Sequence, residues 1–180
     1  MKIATAIISI SLTLSACVQK EASIFFENCS CSKKEFANGV TVIDSLDHYS
    51  VKYPSIVWQP VKNLDEFHNG ITGVNTENKK LEAIAITETI KGDKYVSAEE
   101  EMKEYPFKQV VKQGKIQFLG AQRDWRIIKH DDEPKPYYSL YLTVDSEKVV
   151  YTINFTVEQE KNYLDKICRL EKYLDQIKIY

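Results

Sequence analysis

The chain is poor in glycine and histidine, with six and three among its 180 residues. Phosphate-binding loops need backbone that closes tightly round an anion, and so little glycine disfavours them. No phosphate loop, dinucleotide fingerprint, nucleophile elbow or zinc-protease helix occurs. His48, His68 and His130 never fall three or four residues from one another, so no histidine metal site is expected, and each reads as a surface or strand-end residue. Charge of one sign is also lacking: 24 Lys and Arg are interleaved with 26 Asp and Glu, for a net charge of −2. That excludes the basic footprint of a nucleic-acid binder. No apolar run reaches the roughly 18 residues of a membrane-spanning helix. Neither enzymatic activity nor a bound cofactor is expected.

What is present is the composition of a folded domain: 43% hydrophobic residues and eleven tyrosines and seven phenylalanines. At the start, Met1 and Lys2 precede an uncharged stretch, residues 3–14, of the length of a secretory h-region. It ends in Leu14, Ser15, Ala16 and Cys17. This tetrapeptide resembles the lipobox of bacterial lipoproteins, which implies cleavage before Cys17 and a diacylglycerol on its sulfur, completed by a further acyl chain such as palmitate. Each buried methylene contributes about 0.8 kcal/mol, so two or more chains hold a protein stably on a membrane. The expected organisation is a signal peptide over 1–16, a lipidated tether over 17–45 and one domain over 46–180. Localisation is then the cell envelope, on a membrane that the sequence does not specify.

Within the domain, His48 to Tyr53 alternates as a strand ended by Pro54. Trp58 and Val61 flank Pro60 in an irregular or edge segment, and Gly70 to Val74 reads as a short strand. Leu81 to Ile90 reads as an interior strand with Ile84, Ile86 and Ile90 on one face. Ser97 and Glu100 form a capping-box signature for a helix from Ala98 through Met102. Then comes an antiparallel meander with segments near 107–112, 115–120, 125–130, 137–145 and 148–157. Leu164, Ile167, Leu170 and Leu174 lie at helical spacing in residues 159–176. The fold class expected is α+β, a mainly antiparallel sheet with packed helices.

Two stretches, Tyr49-Ser50-Val51-Lys52-Tyr53-Pro54 and the final hairpin followed by Tyr173-Leu174-Asp175-Gln176-Ile177-Lys178-Ile179, together resemble the PsbP-like family. The resemblance spans about residues 46–180 and implies an α/β/α sandwich. That family includes extrinsic photosynthetic subunits, small-GTPase-binding proteins, secretion chaperones and bacterial lipoproteins, so it fixes no function.

Cys29, Cys31 and Cys168 are the cysteines besides Cys17. Export permits a disulfide from either Cys29 or Cys31 to Cys168, leaving one thiol over. A metal site there would need a fourth ligand that the sequence does not place. His130, Asp131, Asp132 and Glu133 form an oxygen-rich loop without the glycine and spacing of a calcium site, and read as a solvated turn. Tyr137 and Tyr141 point away from the core residues Tyr138, Leu140 and Leu142, which makes them a candidate binding surface. The leading expectation is a non-enzymatic, membrane-anchored module with a protein partner and no nucleic acid. The alternatives are a small-ligand or metal-binding lipoprotein and an envelope immunity protein.

Overall fold

The computed structural model describes residue 36 and residues 38–55, 57–76, 81–92, 108–131 and 134–180. Those residues form two antiparallel sheets. The smaller holds β1 (Val40–Ile43), β2 (Tyr49–Tyr53) and β10 (Ile177–Ile179) in the order β1-β2-β10. The larger holds β3 (Trp58–Leu64), β4 (His68–Asn75), β5 (Glu82–Ile90), β6 (Lys108–Phe118), β7 (Ala121–His130), β8 (Tyr137–Asp145) and β9 (Val149–Glu158), in the order β3-β4-β5-β9-β8-β7-β6.

Strand alternation builds the core. Ile71, Ile86, Ile153, Leu142 and Trp125 are register partners across five strands, and all are buried. The next row carries Gly73, Ile84, Phe155, Leu140 and Ile127. The small sheet packs onto this face through Tyr49, Val51 and Tyr53, each at 0% exposure. An aromatic group of Phe36, Tyr53, Trp58, Phe155 and Tyr173 fills one end, with Phe36 and Tyr173 edge to face at 4.7 Å. The helix α1 (Tyr163–Glu171) packs against β9 of the large sheet, burying Ile167 and stacking Tyr163 on Tyr138 with ring centroids 3.7 Å apart.

The expected α+β class, and with it the α/β/α sandwich, is corrected by this architecture. The inner face of the large sheet is covered chiefly by a second sheet, and α1 is the one α-helix among the described residues. The helical spacing read over 159–176 is shorter in fact. After α1 the chain makes a 3-10 turn over Leu174–Gln176, and the alternating Ile177-Lys178-Ile179 then pairs with β2 as β10. The capping-box helix at Ala98 lies outside the described residues. The segments near 107–112 and 115–120 are one strand, β6, which continues through Gly114 with a register shift between Val110 and Lys112.

β5 is interior, between β4 and β9, as its alternation implies. β3 is an edge strand and tolerates Pro60 for a definite reason. Asp65 N–H donates to His68 O and Thr76 N–H to Val57 O, which places the odd-numbered residues of β3 in hydrogen-bonded pairs with β4. Pro60 therefore falls at a position whose backbone faces outward, where a missing N–H costs no ladder bond.

Candidate functional site

Among the described residues, a cluster of buried polar side chains lies between the two sheets. One row of the large sheet's inner face carries Asn69 on β4, Glu88 on β5 and Tyr151 on β9, adjacent by register. All three are buried. The turn between β1 and β2 brings Asp44 and His48 over this row, with Asp47 in the left-handed region at φ 59°. Asp44 is itself buried, and its carboxylate organises the turn by accepting from Tyr49 N–H at 2.7 Å and Leu46 N–H at 2.8 Å.

Asn69 joins the sheets. Its Nδ2 donates to Asp44 Oδ2 and, at 3.2 Å, to Glu88 Oε2. Glu88 Oε2 lies 2.7 Å from His48 Nδ1, and Glu88 Oε1 accepts from the Tyr151 hydroxyl at 3.2 Å. The Tyr49 hydroxyl donates across the interface to Asn69 O at 2.7 Å, with Ile86 O 3.2 Å away. Each carboxylate oxygen of Asp44 and Glu88 thus has at least one donor. Buried polar groups joined this way fasten two layers in one relative position.

Ionisation follows from these contacts. Burial alone would raise the Asp44 pKa, but the hydrogen bonds from Tyr49, Asn69, Leu46 and His48 outweigh it and hold the carboxyl below its ordinary 3.8. The hydrogen bond to Glu88 raises His48 above 6.5 against the opposing effect of desolvation, and the charges of Glu88, Asp44 and Asp47 add to the rise. Burial, then the Glu88 charge, pushes Tyr151 up to about 12. Burial also drives Tyr49 upward, helped by Asp44 and Glu88. Both phenols therefore remain protonated donors near neutral pH, and the cluster serves as a charged, hydrogen-bonded joint.

Of the residues singled out in the sequence, Cys17, Cys29 and Cys31 lie outside the described residues, and Cys168 is disulfide-bonded. Tyr137 and Tyr141 are half-buried on the outer face of the large sheet. Tyr137 stacks on His130 with centroids 4.3 Å apart, and Tyr141 is 6.3 Å from the same ring. His130, read as a surface or strand-end residue, is the last residue of β7 and is buried, at 4% exposure. Asp131 pairs with Lys129 at 2.7 Å, while Asp132 and Glu133 lie outside the described residues. His68 bonds Asp65 at 3.0 Å. Among the described residues no three His, Cys, Asp or Glu side chains are grouped to hold a metal ion.

Sequence reasoning missed Asp44, Asn69 and Glu88. One signal was readable: Glu88 interrupts the apolar face that Ile84, Ile86 and Ile90 define, and a carboxylate there implies a buried partner.

The fold and this joint define a mainly antiparallel β domain of two packed sheets. No family model matches the chain, and no curated protein matches it. Among solved structures, it is similar to a crystal structure from Bacteroides thetaiotaomicron VPI-5482, with a TM-score of 0.51 and 14% identity over 79% of this chain and 49% of that one. The chain spans about half the length of that structure, and the likeness is one of fold alone. It is also similar to the solution structure of cyanobacterial PsbP (CyanoP) from Synechocystis sp. PCC 6803, with a TM-score of 0.49 and 14% identity over 84% of this chain and 98% of that one. A PsbP-like protein thus stands among the folds the chain resembles.

Proposed function

We propose that the chain is a lipoprotein of the cell envelope, held on a membrane by acyl groups on Cys17, and that its domain is a non-enzymatic protein-binding or assembly module. The observation that carries this reading is the Leu14-Ser15-Ala16-Cys17 tetrapeptide at the end of an uncharged apolar segment. Among the described residues no helix is long and apolar enough to cross a membrane, which is compatible with a lipid as the anchor. The joint of Asp44, Asn69 and Glu88 supports the module reading, because its carboxylates are engaged in holding one sheet on the other.

Membrane fractionation of a Cys17→Ala variant, with intact mass measured beside the parent, tests the anchor. The parent is expected in the membrane fraction with the added mass of a diacylglycerol and acyl chain, and the variant without that mass. A variant that stays membrane-bound with the processed mass of the parent overturns the lipoprotein reading.

A further inference from the structure

The inner face of the large sheet continues beyond the joint as an apolar shelf. In the Ile71–Ile86–Ile153 row every side chain is at 0% exposure. Next comes the row of Asn69 and Glu88, whose partner on edge strand β3 is Leu64, 54% exposed. Beyond it, Ile90 N–H donates to Phe67 O at 3.0 Å, and these neighbours are 52% and 38% exposed. The turn of the small sheet that overlies the joint carries Leu46, which is 47% exposed.

Exposed carboxylates lie in the turns at this end. The three turns carry Asp47, Asp65, Glu66, Asp145 and Glu147 with Lys148, while Lys62 on β3 and Lys91 just after β5 add two cations. Lys91 is already paired with Asp145 and His68 with Asp65, so the three remaining carboxylates, Asp47, Glu66 and Glu147, face two lysines.

We propose that this end is a docking surface for a partner polypeptide presenting an apolar segment flanked by Lys or Arg. The inference rests on the binding-module reading and names its surface and partner class. Charge complementarity selects the occupant: the acidic rim steers a cationic segment inward, and the apolar floor supplies the area to be desolvated. A second copy would bring the same acidic rim against its own, and an anionic membrane would be repelled likewise. The shelf also lies away from the first described residues. β3 runs from Trp58, which touches Tyr173 beside Phe36, to Leu64 on the shelf. A domain tethered near Phe36 therefore presents this end away from its tether.

The test uses the full chain in zwitterionic nanodiscs, with empty nanodiscs as reference, and fluorescence anisotropy of three labelled peptides: alternating Lys and Leu, alternating Glu and Leu, and alternating Lys and Ser. The Lys-Leu peptide is expected to bind at least tenfold more tightly than either of the others, and severalfold more weakly at high salt. Leu64→Ser with Ile90→Ser, and separately Glu66→Lys with Glu147→Lys, are expected to weaken it about tenfold, while Asp124→Lys on the β6–β7 hairpin leaves it unchanged. Because the substituted side chains are exposed, unchanged melting of each variant confirms that binding alone is read. Equal binding of the three peptides, or indifference to both double variants, overturns the proposal. So does a concentration-dependent dimer lost in Leu64→Ser with Ile90→Ser, or binding to anionic vesicles lost in that variant. The anchor is read separately by Cys17→Ala fractionation, so a failed peptide panel overturns the shelf and leaves the anchored-module reading to its own test.

Discussion

Tyr53 and Gly73 are in such close contact that a Cβ on Gly73 would stand 2.1 Å from Tyr53 Cε1. Tyr53 is fully buried, and its hydroxyl reaches Ile84 O at 3.4 Å. The small sheet therefore seats one ring in a notch of the large sheet, while Asp44, Asn69 and Glu88 fasten the other end of the interface. Apolar fit and polar bonding fix the same relative position from two ends.

Gly73→Ala is accordingly expected to destabilise the domain by about 1–3 kcal/mol, the usual cost of forcing extra volume into a packed core. The ring cannot yield as the end of a flexible chain would, because the small sheet surrounds it. Gly92 serves as the control: a Cβ there would meet nothing within 4 Å, and Gly92→Ala is expected to be near neutral. Urea denaturation of both variants decides the matter. Equal stability of Gly73→Ala and the parent would mean that the sheets do not meet at this ring.

The joint should give stability a pH profile with two flanks. His48 is raised above 6.5 in the folded state, so its contribution is fully present below 6.5 and is lost as pH rises through the folded value. Asp44 is lowered below 3.8, so its contribution is present above 3.8 and is lost as pH falls through the folded value. His48→Gln is expected to flatten the upper flank and leave the lower one. In the parent, the His48 ring followed by NMR should titrate above 6.5, and Glu88→Gln should move it back toward that value. His48 is nearly half exposed, so solvent screening keeps the stability effect small, and the titration is the sharper readout. A His48 midpoint unmoved by Glu88→Gln contradicts the pairing.

The β6–β7 hairpin closes through Leu119 and Gly120, with φ of 50° and 74°. Two consecutive positive φ values in a two-residue loop are the pattern of type I′ turns, which favour Asn-Gly. A leucine in the left-handed region costs about 1–2 kcal/mol that asparagine largely avoids. Leu119 is 46% exposed, so little packing is lost on replacing it. Leu119→Asn is therefore expected to raise stability by about 0.5–1 kcal/mol. Gly120→Ala, which puts a Cβ on the second left-handed residue, should lower it by a similar amount. Thermal melts check both signs, and a destabilised Leu119→Asn would show that the leucine side chain holds the turn.

How far the sequence discloses this fold depends on the residue in question. β8 and β9 are legible because large apolar residues recur at every second position through most of each strand, and β5 because Ile84 and Ile86 alternate with small or polar residues. β6 reads as two pieces because Gly114 and the register shift near Val111 break that alternation, although the backbone pairs with β7 on both sides. At the other extreme, Leu174 and Ile177 satisfy helical spacing from Ile167, so the helical pattern runs past the end of the helix itself. Pairing with β2, far earlier in the chain, sets Ile177 opposite Val51 and makes this end a strand. The joint is hidden for the same reason. Asp44 is an ordinary turn residue locally and Asn69 lies within β4, and only a contact across 25 residues makes them partners.

Cys168 is disulfide-bonded, and the chain's other three cysteines are Cys17, Cys29 and Cys31. If Cys17 carries the lipid, its sulfur is a thioether and cannot pair, so Cys168 should be linked to Cys29 or Cys31. Non-reducing peptide mapping of the protein purified without reductant is expected to recover the Cys168 peptide joined to the peptide carrying Cys29 and Cys31, with one free thiol labelled by a maleimide. Cys168→Ser should then cost about 2–5 kcal/mol, the usual cost of losing a native disulfide from a small domain. Cys29→Ser and Cys31→Ser separate the partner from the spare thiol: the partner's loss matches Cys168→Ser in stability, and the spare's loss leaves it near the parent. Recovery of Cys168 joined to Cys17 would contradict this assignment and the lipidation of Cys17 together.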